Sequence, residues 1–262
     1  MHEKSILNKT VDSLMYEEVL YERLTPEALE TRRKRAPIAY LPLGTLEWHG
    51  PHLPLGSDHL QSQGFFIKLA QRVGGVVLPP LFLGPDSRKD VDDFEYYGMD
   101  ILQKASSQPM QLIGSAYWIP DRLFSEIIDA VFKQVHRAGF RIMVAHGHGP
   151  SNNYIIDNKT DLEQRHGLRI FTIWRGKEER DQKTEFQHDH AAANETSIMM
   201  SLHSSLVHMD LLPEDPEEQP LGLIGDDPRT HASTDHGDNI VNIHLDRMES
   251  ILRKELEEIS HT

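Results

Sequence analysis

Short apolar runs alternate with longer amphipathic stripes along most of this chain. The runs have the length of buried strands and lie at residues 38–43, 141–145 and 168–174. The stripes have helical spacing and lie at residues 59–73, 121–138, 153–165, 190–208 and 239–259. Strands that alternate with helices predict a mainly parallel sheet with helices on both faces, so the sequence predicts an α/β fold.

Two segments interrupt this alternation. Residues 11–35 carry a rough apolar stripe that predicts a helix, and Pro26 restarts it as a second short helix. Residues 84–110 are mostly polar and include five aspartates, which is typical of a surface flap. No linker rich in serine, glycine or proline divides the chain. We therefore expect residues 1–262 to form a single domain, with residues 1–36 as an N-terminal helical extension.

Composition narrows the classes of function. The formal net charge of -14 and the lack of long basic runs argue against nucleic acid as a partner. No run approaches the roughly 18 apolar residues of a membrane helix, and the first residues lack the apolar core of a signal peptide. We therefore expect a cytoplasmic protein with no membrane partner. With no cysteine, any metal must be held by histidine nitrogen and carboxylate oxygen, which suits Zn²⁺, Mn²⁺ or Mg²⁺.

The loop that follows the first predicted strand concentrates such donors. Glu47, His49 and Asp58 lie within twelve residues, among five glycines and prolines between positions 44 and 56. A metal site needs a rigid backbone that holds its donors in place before the ion arrives, whereas a solvated loop does not. The alternative is an acidic surface loop with incidental histidines. The glycine and proline frame favours a site of the zinc or manganese type.

Two further segments contain histidine and carboxylate side chains of the kind that bind metal ions. His146 and His148 follow the predicted strand at 141–145, and Glu195 lies one turn into a predicted helix, with His190 five residues earlier. Ligands of parallel sheets collect where the strands end, and both histidine-rich loops follow strands. Taken separately, the histidine pair is also consistent with imidazoles bonded to backbone carbonyls. Glu195 alone is consistent with a carboxylate favoured by the helix dipole.

These motifs resemble those of the creatininase (creatinine amidohydrolase) family. The likeness is carried by residues 44–58, 146–152 and 190–197, and their order and spacing agree with the family pattern over most of the chain. The resemblance implies a creatininase-like, three-layer α/β/α fold and a homohexamer. It also implies two divalent metal ions per subunit, Zn and/or Mn, with Fe as a further candidate.

The resemblance implies a role for each donor when the family's functional residues are transferred to the matching positions of this chain. One ion would be held by two carboxylates and an imidazole, namely Glu47, Asp58 and His148. The other would be held by His49, Asp58 and Glu195, so that Asp58 bridges the two ions. The catalytic residues would be His190, as the proton shuttle, and Glu195.

The implied activity is that of a dinuclear metal-dependent hydrolase, most directly an amidohydrolase acting on a C–N bond of a small cyclic amide or a related carbonyl substrate. A hydroxide that bridges the ions would attack the carbonyl. One alternative is hydrolytic C–C cleavage of a cyclic diketone, such as a dehydro-inosose in sugar or inositol catabolism. A second alternative is a non-catalytic metal-binding subunit. The retained His190 favours an enzyme, because a purely structural site needs no free histidine there.

The chain departs from the family pattern beside the metal motifs. Creatininase has a glutamate two residues after the strand-end histidine, and this chain has Pro150 there. His146 stands where the family usually has asparagine, and Ala192 where it often has glycine. Residues 84–90 lack the family's Ser-x-Glu-His run. We therefore expect creatinine itself to be a poor substrate.

Overall fold

A parallel sheet lies at the centre of the protein, of which the computed structural model describes residues 18–103, 108–175 and 184–260. The strands in these ranges are β1 (Ile38–Leu43), β2 (Val76–Val77), β3 (Arg88–Val91), β4 (Phe94–Tyr97), β5 (Ile142–Gly147) and β6 (Arg169–Phe171). Four of them form the central sheet in the order β2-β1-β5-β6, and each neighbouring pair is parallel. Strands β3 and β4 form a separate antiparallel hairpin within the flap.

Helices cover both faces of the central sheet. They are α1 (Pro26–Arg35), α2 (Ser57–Val73), α3 (Met99–Leu102), α4 (Asp121–Arg137), α5 (Gly149–Asp157), α6 (Lys159–His166), α7 (Ala193–His203), α8 (Pro228–His231) and α9 (Thr234–Ser260). Side chains of β1 alternate between the faces: Tyr40 packs in an apolar cluster with Phe65 of α2, and Leu41 packs in another with Phe124 of α4. This is the predicted three-layer α/β/α architecture. No helix in the described ranges is long and apolar enough to cross a membrane.

The predicted helix at residues 11–35 is wrong for its middle part, while residues 11–17 lie outside the described ranges. Val19 and Leu20 are extended along the edge of β2: the backbone N–H of Val77 donates to the Val19 carbonyl at 2.8 Å, and Leu20 forms a parallel bridge with Val77. The sheet edge supplies backbone partners and buries Val19, and this outweighs the helical spacing. In the described part of the expected extension at 1–36, α-helix therefore begins only at Pro26.

The flap at residues 84–110 is more than a surface excursion. It contains the β3–β4 hairpin and the short helix α3, and residues 104–107 lie outside the described ranges. Met99 and Asp100 are buried, and the Asp100 carboxylate accepts a hydrogen bond from the backbone of Leu112 at 2.8 Å. One end of the flap is therefore anchored in the protein interior.

Strands β1 and β5 end side by side, with Leu43 paired to Gly147. Both strands are buried along their whole length. Because parallel strands run in one direction, the loop after β1 and the turn after β5 begin at the same edge of the sheet. This edge is the place where the predicted donors meet.

Candidate metal centre

The loop after β1 is clamped so that its polar side chains turn inward. The backbone N–H of Glu47 donates to the Leu55 carbonyl at 2.9 Å, which closes the loop around Gly50, a residue with φ +68°. His49 Nδ1 lies 3.0 Å from the Glu47 carbonyl oxygen, which can only accept a hydrogen bond and therefore holds a proton on Nδ1, so Nε2 is the nitrogen that faces the carboxylates. Asp58 follows in the first turn of α2. The loop thus delivers three buried donors.

The turn after β5 delivers His148. The side-chain amide of Asn152 pins this turn, because its Oδ1 accepts from the Gly147 N–H at 2.8 Å and its Nδ2 donates to the Gly147 carbonyl at 2.6 Å. His148 Nδ1 then lies 3.2 Å from Asp58 Oδ2 and 3.7 Å from Glu47 Oε2. The pairing of β1 with β5 therefore places donors about a hundred residues apart in sequence within contact.

The start of α7 delivers Glu195. The Asp189 carboxylate accepts hydrogen bonds from the backbone N–H groups of Asn194 and Glu195 at 2.8 and 3.0 Å, which caps the helix and fixes its first turn. Glu195 Oε2 accepts from the Ala191 N–H at 2.8 Å and lies 3.7 Å from His49 Nε2. The capped turn thus aims the Glu195 carboxylate at the loop after β1.

Five side chains converge at this edge in two fully buried, overlapping groups, and a third group joins Glu47 and His49 to the partly buried His190. Donor atoms of Glu47, Asp58 and His148 lie within 4.8 Å of one another, and so do those of His49, Asp58 and Glu195. Asp58 belongs to both groups, and none of the five residues is more than 5% exposed. The structure brings together all five side chains that the sequence identifies as candidate donors.

Burial and mutual charge shift the pKa values in this cluster. Burial raises the pKa of Glu47 to about 7 and that of Glu195 to about 8. Burial acts in the same direction on Asp58, but His49 and His148 outweigh it and hold the pKa of Asp58 well below its usual value. Burial alone would lower the pKa of His49, but Asp58 and Glu195 raise it to about 10. Within the described ranges the three carboxylates form salt bridges only with histidine, so the cluster can accommodate further positive charge.

The donor set fits divalent metal ions. His49 Nε2 is buried and has no hydrogen-bond partner among the described residues. It faces Asp58 Oδ1 at 3.5 Å and Glu195 Oε2 at 3.7 Å. A buried nitrogen without a partner costs free energy, and a cation bound between it and the carboxylates would satisfy it. Imidazole nitrogen together with carboxylate oxygen is a donor set that suits Zn²⁺ and Mn²⁺.

His190 lies beside the cluster, and it also borders a cavity. Its ring centroid is 4.3 Å from that of His49, and its Nε2 lies 2.8 Å from the Trp48 carbonyl oxygen. Burial, followed by the nearby charge of His49, lowers the pKa of His190 to about 3. The cavity has a volume of about 720 Å³, and its polar lining includes His188, Asp189, Asp226, His231 and His236. The predicted proton shuttle thus has access to a space large enough for a small molecule.

Two residues at this edge differ from the sequence interpretation. His146 lies outside both donor groups and packs edge-on against Trp174 and Phe186, with ring centroids 5.4 and 5.8 Å away. Asp86, which the sequence analysis does not single out, lies 3.3 Å from His148 Nε2. The available signal for Asp86 was the glycine and proline directly before it, the same kind of frame that marks the loop after β1.

Comparison with known proteins gives one family. The family model of creatininase, described as creatinine amidohydrolase, matches residues 22–251. Among solved structures, creatinine amidohydrolase (creatininase) is 19% identical, with 91% of this chain and 98% of that chain covered and a TM-score of 0.67. A glutamate-to-glutamine variant of creatininase of the Zn-Zn type is 20% identical, with 91% of this chain and 98% of that chain covered and a TM-score of 0.67. The structure described as "creatininase Mn" is also 20% identical, with the same coverage of both chains and a TM-score of 0.66. Among curated proteins, none matches the chain.

Proposed function

The chain belongs to the creatininase family, and from this premise we propose that it is a metal-dependent hydrolase with two divalent ions per subunit. The family match, together with creatininase structures of the zinc and manganese types, supports metal-dependent hydrolysis as the class of reaction. The observation that carries the number of ions is the pair of buried donor groups that share Asp58.

We assign one ion to Glu47, Asp58 and His148, and the other to His49, Asp58 and Glu195. Bound ions would polarise a substrate carbonyl and lower the pKa of a water molecule. The side chains supply a fixed geometry with little solvent, because each donor is at most 5% exposed, four of them contact backbone groups, and the Asp58 carboxylate contacts His49 and His148. Charged groups act more strongly in such a dry, pre-organised site than in water.

His190 is the residue that we propose for proton transfer. Its Nε2 faces the Trp48 carbonyl, which can only accept a hydrogen bond and therefore fixes a proton on that nitrogen. Nδ1 then has a lone pair that can receive a proton during the reaction. The position of the ring between His49 and the cavity supports a role in carrying that proton to or from a substrate.

Metal analysis of isosteric variants tests the assignment. We expect close to two Zn or Mn ions per wild-type chain, weakened binding of both in Asp58→Asn, and loss of mainly one in Glu47→Gln. The control is Asp93→Asn, because Asp93 is an exposed carboxylate that lies outside the donor groups. Full metal in Asp58→Asn, combined with loss of both ions in Glu47→Gln, would contradict the shared role of Asp58. A metal-free wild type that stays empty after dialysis against Zn²⁺ and Mn²⁺ would end the proposal.

The substrate that we propose is a small cyclic amide or a related carbonyl compound. Cleavage of a cyclic diketone begins with the same attack on a carbonyl and differs in whether nitrogen or carbon leaves, so the donor set does not choose between them. A panel of lactams, formamides, creatinine and cyclic diketones separates the two reactions, with His190→Ala as the control. We expect poor creatinine turnover, because Pro150 and the flap depart from the creatininase pattern. A metal-loaded protein that converts none of the panel would instead favour a non-catalytic metal-binding subunit.

We also propose that the chain forms a homohexamer, as its family resemblance implies. Exposed apolar side chains support self-association: Phe94, Leu102 and Ile113 are 66%, 50% and 82% exposed. With a net charge of -14, subunits repel one another at long range, so assembly should strengthen as salt screens the repulsion. Sedimentation at several salt concentrations measures this, and a 30.0 kDa monomer under all of them would contradict it.

A further inference from the structure

The two ring nitrogens of His148 face different partners. Nδ1 faces the donor cluster, at 3.2 Å from Asp58 Oδ2 and 3.7 Å from Glu47 Oε2. Nε2 faces the flap, where it lies 3.3 Å from Asp86 Oδ2 and 3.2 Å from the carbonyl oxygen of Pro85. The nitrogens lie on opposite sides of the imidazole ring, so Asp86 contacts the histidine from the side away from Asp58.

Asp86 is held in place for this contact. Its side chain is only 8% exposed, and its Oδ1 accepts a hydrogen bond from the backbone N–H of Ser87 at 2.5 Å. Two groups face His148 Nε2, namely the Asp86 carboxylate and the Pro85 carbonyl. An ionised carboxylate and a carbonyl can accept a hydrogen bond but cannot donate one. Asp58 Oδ2 is a comparable acceptor for Nδ1, so these two groups would decide the tautomer once an ion engages Asp58: they would keep the proton on Nε2, and the lone pair of Nδ1 would face the ion.

A glycine lets the flap sit this close to the cluster. Gly98 has φ +49°, and a Cβ added there would lie 2.6 Å from Asp86 Oδ2 and 2.7 Å from Glu47 Oε1. The next residue donates its backbone N–H to Glu47 Oε1 at 3.3 Å, so the same turn of the flap contacts a donor directly. The flap thus supports both Glu47 and His148 from outside the cluster.

We propose that Asp86 is a positioning residue that orients His148 and fixes its tautomer, so that Nδ1 is presented to the ion shared with Glu47 and Asp58. The inference rests on the proposed function, because it assumes that His148 binds a metal. Carboxylates that accept from the second nitrogen of a metal-bound histidine hold the ring in place and raise its basicity, and their loss typically weakens metal binding by about 10–100-fold. Asp86 has the position and the charge for this role.

The test measures metal affinity one site at a time. Zn²⁺ dissociation constants from chelator competition are compared for the wild type, Asp86→Ala, Asp86→Asn and a control, Asp93→Ala. Asp93 is an exposed aspartate of the same flap, so its removal changes the flap's charge to the same extent. The visible absorption of the Co²⁺-loaded proteins reports the ligand geometry. Thermal unfolding of the metal-free proteins checks that each variant is folded.

We expect Asp86→Ala to weaken the binding of one of the two ions by about 10–100-fold and to change the Co²⁺ spectrum, while the second ion binds as in the wild type. Asp86→Asn should lose less metal affinity than Asp86→Ala, because its amide oxygen still accepts a hydrogen bond from Nε2 but carries no charge. Asp93→Ala should match the wild type.

Three results would overturn the inference. Wild-type affinity and spectrum in Asp86→Ala would show that His148 needs no support from Asp86, and the proposed function would stand. Complete loss of one ion in both Asp86 variants would make Asp86 a ligand instead of a positioning residue. A wild type that binds neither Zn²⁺ nor Co²⁺ would remove the proposed function and this inference together.

Discussion

Replacing Gly147 by alanine would force a methyl group between the ends of β1 and β5. Gly147 has φ +153°, and a Cβ added there would lie 1.7 Å from the Leu43 carbonyl oxygen and 2.6 Å from its carbonyl carbon. Real Cβ atoms essentially never approach closer than 3.0 Å, so the strand ends must separate by about 1.3 Å. Both obstructing atoms belong to the backbone of a buried central strand, and no side-chain rotation relieves the contact.

The expected cost follows from three contributions. The backbone conformation at residue 147 is one that alanine rarely adopts, which costs about 1–3 kcal/mol. The hydrogen bond from the His148 N–H to the Leu43 carbonyl is already 3.3 Å long, and its loss costs about 1 kcal/mol. Displacing packed strand ends costs about 1–3 kcal/mol more. A total of about 5 kcal/mol, the middle of the combined range, corresponds to a melting temperature lower by about 10–20 °C for a protein of this size.

Gly149→Ala is the matched control, because it adds the same methyl group two residues away. There the new Cβ would meet only Trp174 Cη2 at 4.0 Å, which is ordinary contact, and the residue is the first of α5. Alanine in a helix is preferred over glycine by up to about 1 kcal/mol, so this variant should be neutral or slightly stabilised. Thermal unfolding of the metal-free proteins measures both effects.

Metal content then reports the effect on the site. The same displacement should carry His148 Nδ1 beyond its 3.2 Å contact with Asp58, so Gly147→Ala should also hold less metal than the control. A Gly147→Ala protein with the melting temperature and metal content of the wild type would refute the reasoning, since it would mean that the two strand ends move apart freely.

Three further predictions concern the second donor group and the protons of the whole cluster. In Gly237→Ala the new Cβ would lie 1.9 Å from the Ser197 carbonyl oxygen, so α9 must shift away from α7; we expect lower thermal stability and weaker binding of the ion assigned to Glu195, and unchanged values would contradict this. The pKa values of Glu47 and Glu195, about 7 and about 8, lie above the ordinary 4.5, and that of His49, about 10, lies above the ordinary 6.5, so above pH 6.5 these groups hold protons in the folded metal-free protein that the unfolded chain has released. Below pH 6.5 buried histidines such as His190, with a pKa of about 3, reverse this balance, because only the unfolded chain protonates them. The stability of the metal-free protein should therefore fall as pH rises from 6.5 to 8, on the order of 1.4 kcal/mol per pKa unit, and metal binding should release protons at pH 6.5. Unfolding at several pH values and calorimetry in buffers of different ionisation enthalpy measure the two effects, and proton uptake on binding would contradict the second.

The framework of the site is predictable because its signals are local. The apolar runs identify β1 and β5, and donors that directly follow parallel strands share an edge of the sheet. The role of Asp86 is not predictable in this way. The flap has five aspartates, and only tertiary contacts decide that Asp86 lies against His148 while Asp93 is exposed. The helix predicted at Val19 was wrong for a similar reason, because an apolar residue fits the apolar stripe of a helix and the edge of a sheet equally well.

The two donor groups share Asp58 but need different lengths of chain. Glu47, Asp58 and His148 are all present once β1, α2 and β5 have been made, whereas the other group also needs Glu195 from α7, whose neighbour α9 lies at the far end of the chain. The donors of the first group are therefore all synthesised before Glu195, although α2, which carries Asp58, packs against α7 and α9 in the folded protein. In our assignment, the ligands of the first ion all precede Glu195 in the chain, and binding of the second ion requires α7 to dock beside the loop after β1. The number of ions bound per chain would then report whether that docking has taken place.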